Sequence, residues 1–325
     1  MNAVIIYTEG GLKLGLGNVY RMLELVKTLK ENKQALDIKF ITSSEKYVID
    51  LIKDNGFDSI LSTPENLALD IAAQKFQVLV IDKLNIEEFF VEEIKSNKKE
   101  QFKIVLFGNN SPANKLADLV INAIVGTDFT NNVYTDSHGT RYLTGPKYLT
   151  LRSEFCYREY EHKNVLKNII LLFGGSDQAN FSCRVLADLL QSSITYNITV
   201  VTGRGYKYNN ELLSVKAGKD NVRLLSDISN VKEEMLKNDF LITSPGGTMF
   251  ESFYLGLPCL ALFQNDIQED VFSGFFMTKS YNEIENIESY ITSVYNNIES
   301  YHKRLDELEI GLGKQDIINN IIKLI

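Results

Sequence analysis

With 325 residues, 44% of them hydrophobic, the chain is long enough for two cores of about 150 residues each rather than one. A net charge of -8 and a pI near 5.1, with no dense Lys/Arg cluster, argue against a nucleic-acid backbone as partner. Cys156, Cys183 and Cys259 lie too far apart for a disulfide framework or a Cys-x-x-Cys metal site, so a reducing cytoplasm fits best.

The chain opens on a buried-strand pattern at residues 3–8 with no basic leader or apolar h-region ahead of it. No apolar run reaches the roughly 18 residues that a bilayer span needs, so no integral membrane segment is expected. Short β-branched runs then alternate with amphipathic helices, the pattern of parallel sheets covered on both faces. A first set of strands is predicted at 4–7, 38–42, 59–61, 78–82, 103–107 and 119–124, ending near Val125-Gly126. Residues 127–162 are rich in Asn, Thr, Tyr and Gly without sustained periodicity and read as a long loop and linker. A second set follows at 168–173, 198–202, 222–225, 240–243 and 259–263. Helical polar stretches, including 284–308, lead to 314–325, where Ile317, Ile318, Ile321 and Ile322 mark one apolar face. The expected fold is α/β, with two Rossmann-like doubly wound domains facing across a cleft: residues 1–145, a linker over 146–163, and residues 164–325 with the C-terminal helices.

Ligands of such sheets bind at the carboxyl ends of the strands, so the strand-to-helix loops carry the functional reading. The most informative is Ser244-Pro245-Gly246-Gly247-Thr248-Met249-Phe250-Glu251, set between the apolar run 240–243 and a helical stretch ending at Leu257-Pro258. Adjacent glycines let backbone N–H groups approach a ligand, and the free N–H groups and dipole of a new helix favour an anion such as a diphosphate. Glu251, one helical turn further on, is placed to accept hydrogen bonds from ribose hydroxyls. Phe173-Gly174-Gly175-Ser176-Asp177 repeats the design, and Ser176 and Thr248 add hydroxyl donors; ordinary turn glycines are the alternative. Thr202-Gly203-Arg204-Gly205 and Leu225-Ser226-Asp227-Ile228 are individually uninformative, although the second sits where a backbone edge could pair with a nucleobase. Arg204 reads more readily as a solvated turn residue than as a phosphate ligand. In the first set, the loop from Gly10 to Asn18 fails the G-x-G-x-x-G spacing, which argues against NAD. Asn18 there is either a site residue or a helix N-cap, and Asp82, closing the fourth strand, carries the same two readings.

Four segments then point to one family. They are Gly15-Leu16-Gly17-Asn18-Val19-Tyr20-Arg21, the stretch Gly145-Pro146-Lys147-Tyr148 through Arg152-Ser153-Glu154-Phe155, the Phe173 to Asp177 loop, and Gly246-Gly247-Thr248 through Glu251 to Leu255-Gly256-Leu257-Pro258. In order, and over nearly the whole chain, they resemble the UDP-sugar hydrolases of pseudaminic acid biosynthesis and the spore-coat polysaccharide proteins of the SpsG type. These are similar in turn to the peptidoglycan N-acetylglucosaminyltransferases of GT-B fold. The resemblance implies a two-domain, metal-independent GT-B enzyme, with no cofactor, that cleaves the bond between UDP and an anomeric carbon. It implies Gly174, Gly175, Gly246, Gly247 and Thr248 at the diphosphate with Ser176 beside them, Glu251 at the ribose, and the backbone around Ile228 at the uracil. Gly17, Arg21 and Gln268 fall to the substrate.

The chain also departs from that family. The hydrolases read G-x-G-H-x-x-R in the first-domain loop, their histidine taken to activate water, whereas this chain has Asn18. A carboxamide has no useful basicity near neutral pH, so Asn18 cannot be a general base. Where the family tends to place an Asp-His-Tyr-like stretch, this chain has Asp82-Lys83-Leu84. The nucleotide half is kept and the chemistry half altered. Of the groups that could replace the base, Asp82 ranks above His138, His162 and His302, because a carboxylate can deprotonate an attacking hydroxyl. Asn18 and Asp82 are therefore the catalytic candidates. The expected function is transfer from a UDP-sugar donor to a small-molecule or glycan acceptor in surface glycan or nonulosonic acid biosynthesis. Hydrolysis of the same donor and catalytically silent nucleotide-sugar binding are the alternatives.

Overall fold

The structure is a computed structural model that describes residues 2–11, 16–124 and 129–325. Gly15 of the first-domain motif and the expected end of the first strand set at Val125-Gly126 lie outside the described residues. The chain divides into two compact units, Met1–Arg152 with Gly311–Ile325, and Ser153–Ile310.

The first unit is built on β1 (Ala3–Thr8), β2 (Asp37–Thr42), β3 (Asp58–Leu61), β4 (Val78–Asp82), β5 (Lys103–Phe107), β6 (Leu119–Asn122), β7 (Asn132–Thr135) and β8 (Arg141–Thr144), in the sheet order β3-β2-β1-β4-β5-β6-β8-β7. Every residue of β1 is buried, as expected of a parallel strand covered on both faces. Side chains alternate across a strand, so Val4 and Ile6 enter one core with Val19, Met22 and Val26 of the helix Gly17–Asn32, while Ile5 and Tyr7 enter the other with Leu67 and Ile71.

The second unit carries β9 (Asn168–Leu172), β10 (Asn197–Thr202), β11 (Val222–Ser226), β12 (Phe240–Thr243), β13 (Cys259–Leu262) and β14 (Thr278–Lys279), in the order β11-β10-β9-β12-β13-β14. Both sheets thus contain the 3-2-1-4-5-6 order of a doubly wound fold, whose switch point lies between the first and fourth strands. In the first sheet that pair is β1 and β4, with Thr8 opposite Asp82; in the second it is β9 and β12, with Leu172 opposite Thr243.

Three expectations are corrected. The segment 127–162 is not loop throughout, because β7 and β8 form an antiparallel hairpin that extends the first sheet, with Tyr134 stacked on Tyr142 at 4.7 Å between centroids. All four residues of β7 are exposed, so no buried alternation advertises it. The closing helix, Lys314–Ile322, was expected in a second domain of 164–325, yet Ile317, Ile318 and Ile321 complete the core of the first unit. Backbone bonds from Gly311 N–H to Pro146 and from Gly313 N–H to Lys147 fasten its start there. An apolar stripe says that a helix is buried but not against which sheet. The helical stretch 284–308 is two helices, Ile287–Asn296 and Ile298–Leu308, parted at Asn297. Among the described residues no helix is long and apolar enough to cross a membrane.

Candidate functional site

Two glycine turns leave the switch-point strands of the second unit. After β12, Gly246 adopts φ 152° and ψ -159°, a conformation essentially reserved for glycine, and the helix Gly247–Leu255 begins at once with no side-chain cap. After β9, Gly174 has φ +82°. A Cβ added at Gly174, Gly175, Gly246 or Gly247 would meet no atom within 4 Å, so open space borders both turns. Among the described residues none of these four glycine N–H groups donates within the protein. Such amides at an uncapped helix start are donors ready for an anion.

The two turns are not equivalent. Asp177 is 3% exposed, and its carboxylate accepts from the N–H groups of Phe181 and Ser182 at 2.8 Å each, so the helix Phe181–Leu189 is already capped. On that side the turn offers its own amides and the half-buried Ser176. Thr248 is half-buried in the first turn of the uncapped helix, and Glu251, one turn on, is 7% exposed and is not unpartnered.

The loop after β10 supports the turn after β9. A Cβ on Gly203 would fall 2.5 Å from the Gly175 Cα, and the Gly205 N–H donates to the Gly175 carbonyl at 2.9 Å. Arg204 pairs with Asp227 through Nε at 2.6 Å, both side chains well exposed, which agrees with a solvated turn arginine. Ile228 is half-buried just beyond the end of β11. Gln268, assigned from sequence to the substrate, has both ends of its amide engaged: Oε1 accepts from the Gln264 N–H at 2.8 Å, and Nε2 donates to the Pro245 carbonyl at 3.1 Å.

At the switch point of the first unit, Arg21 grips Asp82 with two bonds, Nε to Oδ2 at 2.7 Å and Nη2 to Oδ1 at 2.5 Å. Arg21 Nη2 also donates to Asn18 Oδ1 at 2.9 Å. Gly17 is exposed at the start of the helix. The N-cap readings fail for both candidates: Asn18 lies inside the helix, whose cap is Leu16, and Asp82 is 1% exposed with its carboxylate turned to Arg21. Asp82, the expected base, has both oxygens on this one guanidinium, and burial raises its carboxyl above the ordinary carboxylate range against the pull of the Arg21 charge and hydrogen bonds. Burial works against the Arg21 charge, but the Asp82 charge and hydrogen bonds outweigh it and hold the guanidinium above its ordinary pKa.

Sequence reasoning missed Glu9, which follows β1. Its Oε1 accepts from the Tyr7 hydroxyl at 2.5 Å, Ser43 Oγ at 2.9 Å and Lys83 Nζ at 3.1 Å, while Oε2 takes no bond among the described residues. Burial opposes its charge, yet the bonds from Tyr7, Lys83 and Ser43 and the Lys83 charge hold the carboxyl below its ordinary range. A lone acidic residue after a strand has no spacing to betray it. The signal available was its place at the end of the strand that pairs with Asp82.

The histidines lie elsewhere. His138 is exposed in the β7–β8 turn, His162 packs its ring on Tyr295 at 4.4 Å, and a ring nitrogen of His302 meets the Gly256 carbonyl at 2.8 Å. Among the described residues no group of three or more His, Cys, Asp or Glu could hold a metal ion.

No family model matches the chain. An uncharacterized protein of Methanocaldococcus jannaschii is 38% identical over 99% of this chain, which spans 66% of that relative's length. The spore coat polysaccharide biosynthesis protein SpsG of Bacillus subtilis is 28% identical, covering 81% of this chain and 78% of its own. The UDP-2,4-diacetamido-2,4,6-trideoxy-beta-L-altropyranose hydrolase of Campylobacter jejuni is 23% identical over 78% and 88%. Among solved structures, Acinetobacter baumannii MurG superposes with a TM-score of 0.68 at 12% identity, covering 99% of this chain and 100% of its own. The UDP complex of S. aureus MnaA gives 0.62 at 15% identity, covering 100% and 98%. This likeness shows the fold, which is GT-B.

Proposed function

Because the chain is a GT-B-fold relative of the SpsG-type polysaccharide proteins and of the altropyranose hydrolase, we propose that it is a nucleotide-sugar enzyme that breaks the anomeric C–O bond to UDP in surface-glycan or nonulosonic acid biosynthesis. One observation carries the reading. Glycine turns bordered by open space follow both switch-point strands of the second unit, their N–H groups take no acceptor among the described residues, and the turn after β12 opens an uncapped helix. Gly174, Gly175, Ser176, Gly246, Gly247 and Thr248 hold the diphosphate in this reading, Glu251 the ribose, and the backbone at Ile228 the base. As the bond breaks, negative charge grows on the departing diphosphate, and fixed amide donors stabilise it without a metal. Uracil is favoured because the Campylobacter relative is named for a UDP-sugar and the MnaA structure holds UDP.

On the chemistry side, Asp82 keeps Arg21 charged and aimed, and Arg21 orients Asn18. Glu9, whose Oε2 takes no bond among the described residues, is the first unit's candidate to accept a proton. Transfer to an acceptor is preferred to hydrolysis, because the histidine position of the hydrolases is Asn18. Thermal unfolding of the full chain with UDP, GDP, CDP and dTDP tests the nucleotide assignment. A ligand that binds only the folded state at a hundred times its Kd adds about 2.7 kcal/mol of stability, and UDP is expected to give the largest rise. No rise with any of the four refutes the reading.

A further inference from the structure

The two glutamines that follow β13 touch both anion-binding turns. Gln264 Nε2 donates to the Phe173 carbonyl at 2.9 Å and to Ser244 Oγ at 2.6 Å. Strands lie about 4.8 Å apart, and the sheet runs β9-β12-β13, so this one side chain reaches across the end of β12 to the end of β9. Gln268, at the start of the helix Asp266–Phe272, locks the Gln264 backbone through Oε1 and donates from Nε2 to the Pro245 carbonyl.

What these bonds fix follows from peptide geometry. The Phe173 carbonyl and the Gly174 N–H belong to one planar trans peptide and point in opposite directions, as do the Pro245 carbonyl and the Gly246 N–H. Holding each carbonyl aims the N–H of the first glycine of each turn. Gly174 and Gly246 occupy backbone conformations open to glycine, and without a second anchor their peptides rotate at little steric cost.

We infer that Gln264 and Gln268 are positioning residues that aim the two turns together and thereby make the site select a nucleoside diphosphate over a monophosphate. This rests on the proposed nucleotide site. A monophosphate can use one turn alone, whereas a diphosphate gains from both only when their amides are in register. The brace therefore acts on the difference between the two ligands.

The test measures UDP and UMP affinity by calorimetry on the full chain, wild type and Gln264→Met, which keeps side-chain length and removes the donor. UDP affinity is expected to fall about two- to tenfold with UMP affinity unchanged, the size of one or two net hydrogen bonds. An unchanged UDP/UMP ratio, including an equal loss for both ligands, overturns the inference. Should Gln264→Met fail to fold, Gln268→Met releases the Pro245 carbonyl and the same ratio decides. If the wild-type chain binds neither nucleotide, the nucleotide-site reading itself falls. That outcome is visible before any variant is made.

Discussion

Two carboxylates end adjacent strands of the first sheet in different electrostatic states. Asp82 has both oxygens on Arg21, whereas Glu9 crowds three donors onto Oε1 and keeps Oε2 open. Because the Glu9 pKa is lowered in the folded state, its stabilisation is complete above the ordinary value of 4.5 and is lost as pH falls through the folded value. Glu9→Gln should therefore reduce stability by about 1–3 kcal/mol near neutral pH through loss of charge-assisted bonds. The gap to wild type should shrink in acid. Urea unfolding at neutral and acidic pH checks this, and a gap independent of pH would mean that the carboxylate charge plays no part. Asp82 was legible as a strand end and Arg21 as part of a motif. Their pairing was not, because the contact joins residues 61 positions apart through tertiary packing.

Elements were the most legible scale. Fully buried parallel strands such as Val78–Asp82 and Phe240–Thr243 read as continuous apolar runs, and the glycine pairs after β9 and β12 stood out against them. The support beneath those turns was not legible, since a glycine required by a neighbouring backbone looks like any turn glycine. Gly203 is such a residue, its missing Cβ leaving room for Gly175. Gly203→Ala should destabilise the second unit by about 1–3 kcal/mol, as overpacking does, and weaken UDP binding by displacing the turn. Gly205→Ala, whose Cβ would lie 3.1 Å from the Gly175 carbonyl oxygen, should do less of both. Chemical denaturation and calorimetry on the two variants compare them. Equal, small effects would show that the Gly175 turn does not depend on this packing.

At the scale of the whole molecule, two doubly wound domains were legible from two sets of alternating strands and helices and the GT-B class from the family resemblance, but the allegiance of the last helix was not. Ile317, Ile318 and Ile321 are 1%, 0% and 0% exposed, and all three join the core formed by β1, β4, β5 and β6. Hydrophobic burial is non-directional, so a stripe of isoleucines fixes how much surface must be covered without naming the partner. The packing names it, and that assigns the helix to a cooperative unit. Ile318→Ala should cost about 2–5 kcal/mol, the usual range for truncating a fully buried isoleucine. Hydrogen exchange should then rise in β1, β4, β5 and β6 while β9 and β12 keep their protection, because opening free energy is shared within a cooperative unit. Loss of protection in β9 and β12 instead would place the helix in the stability of the second unit, and the two compact units would not describe how the chain unfolds.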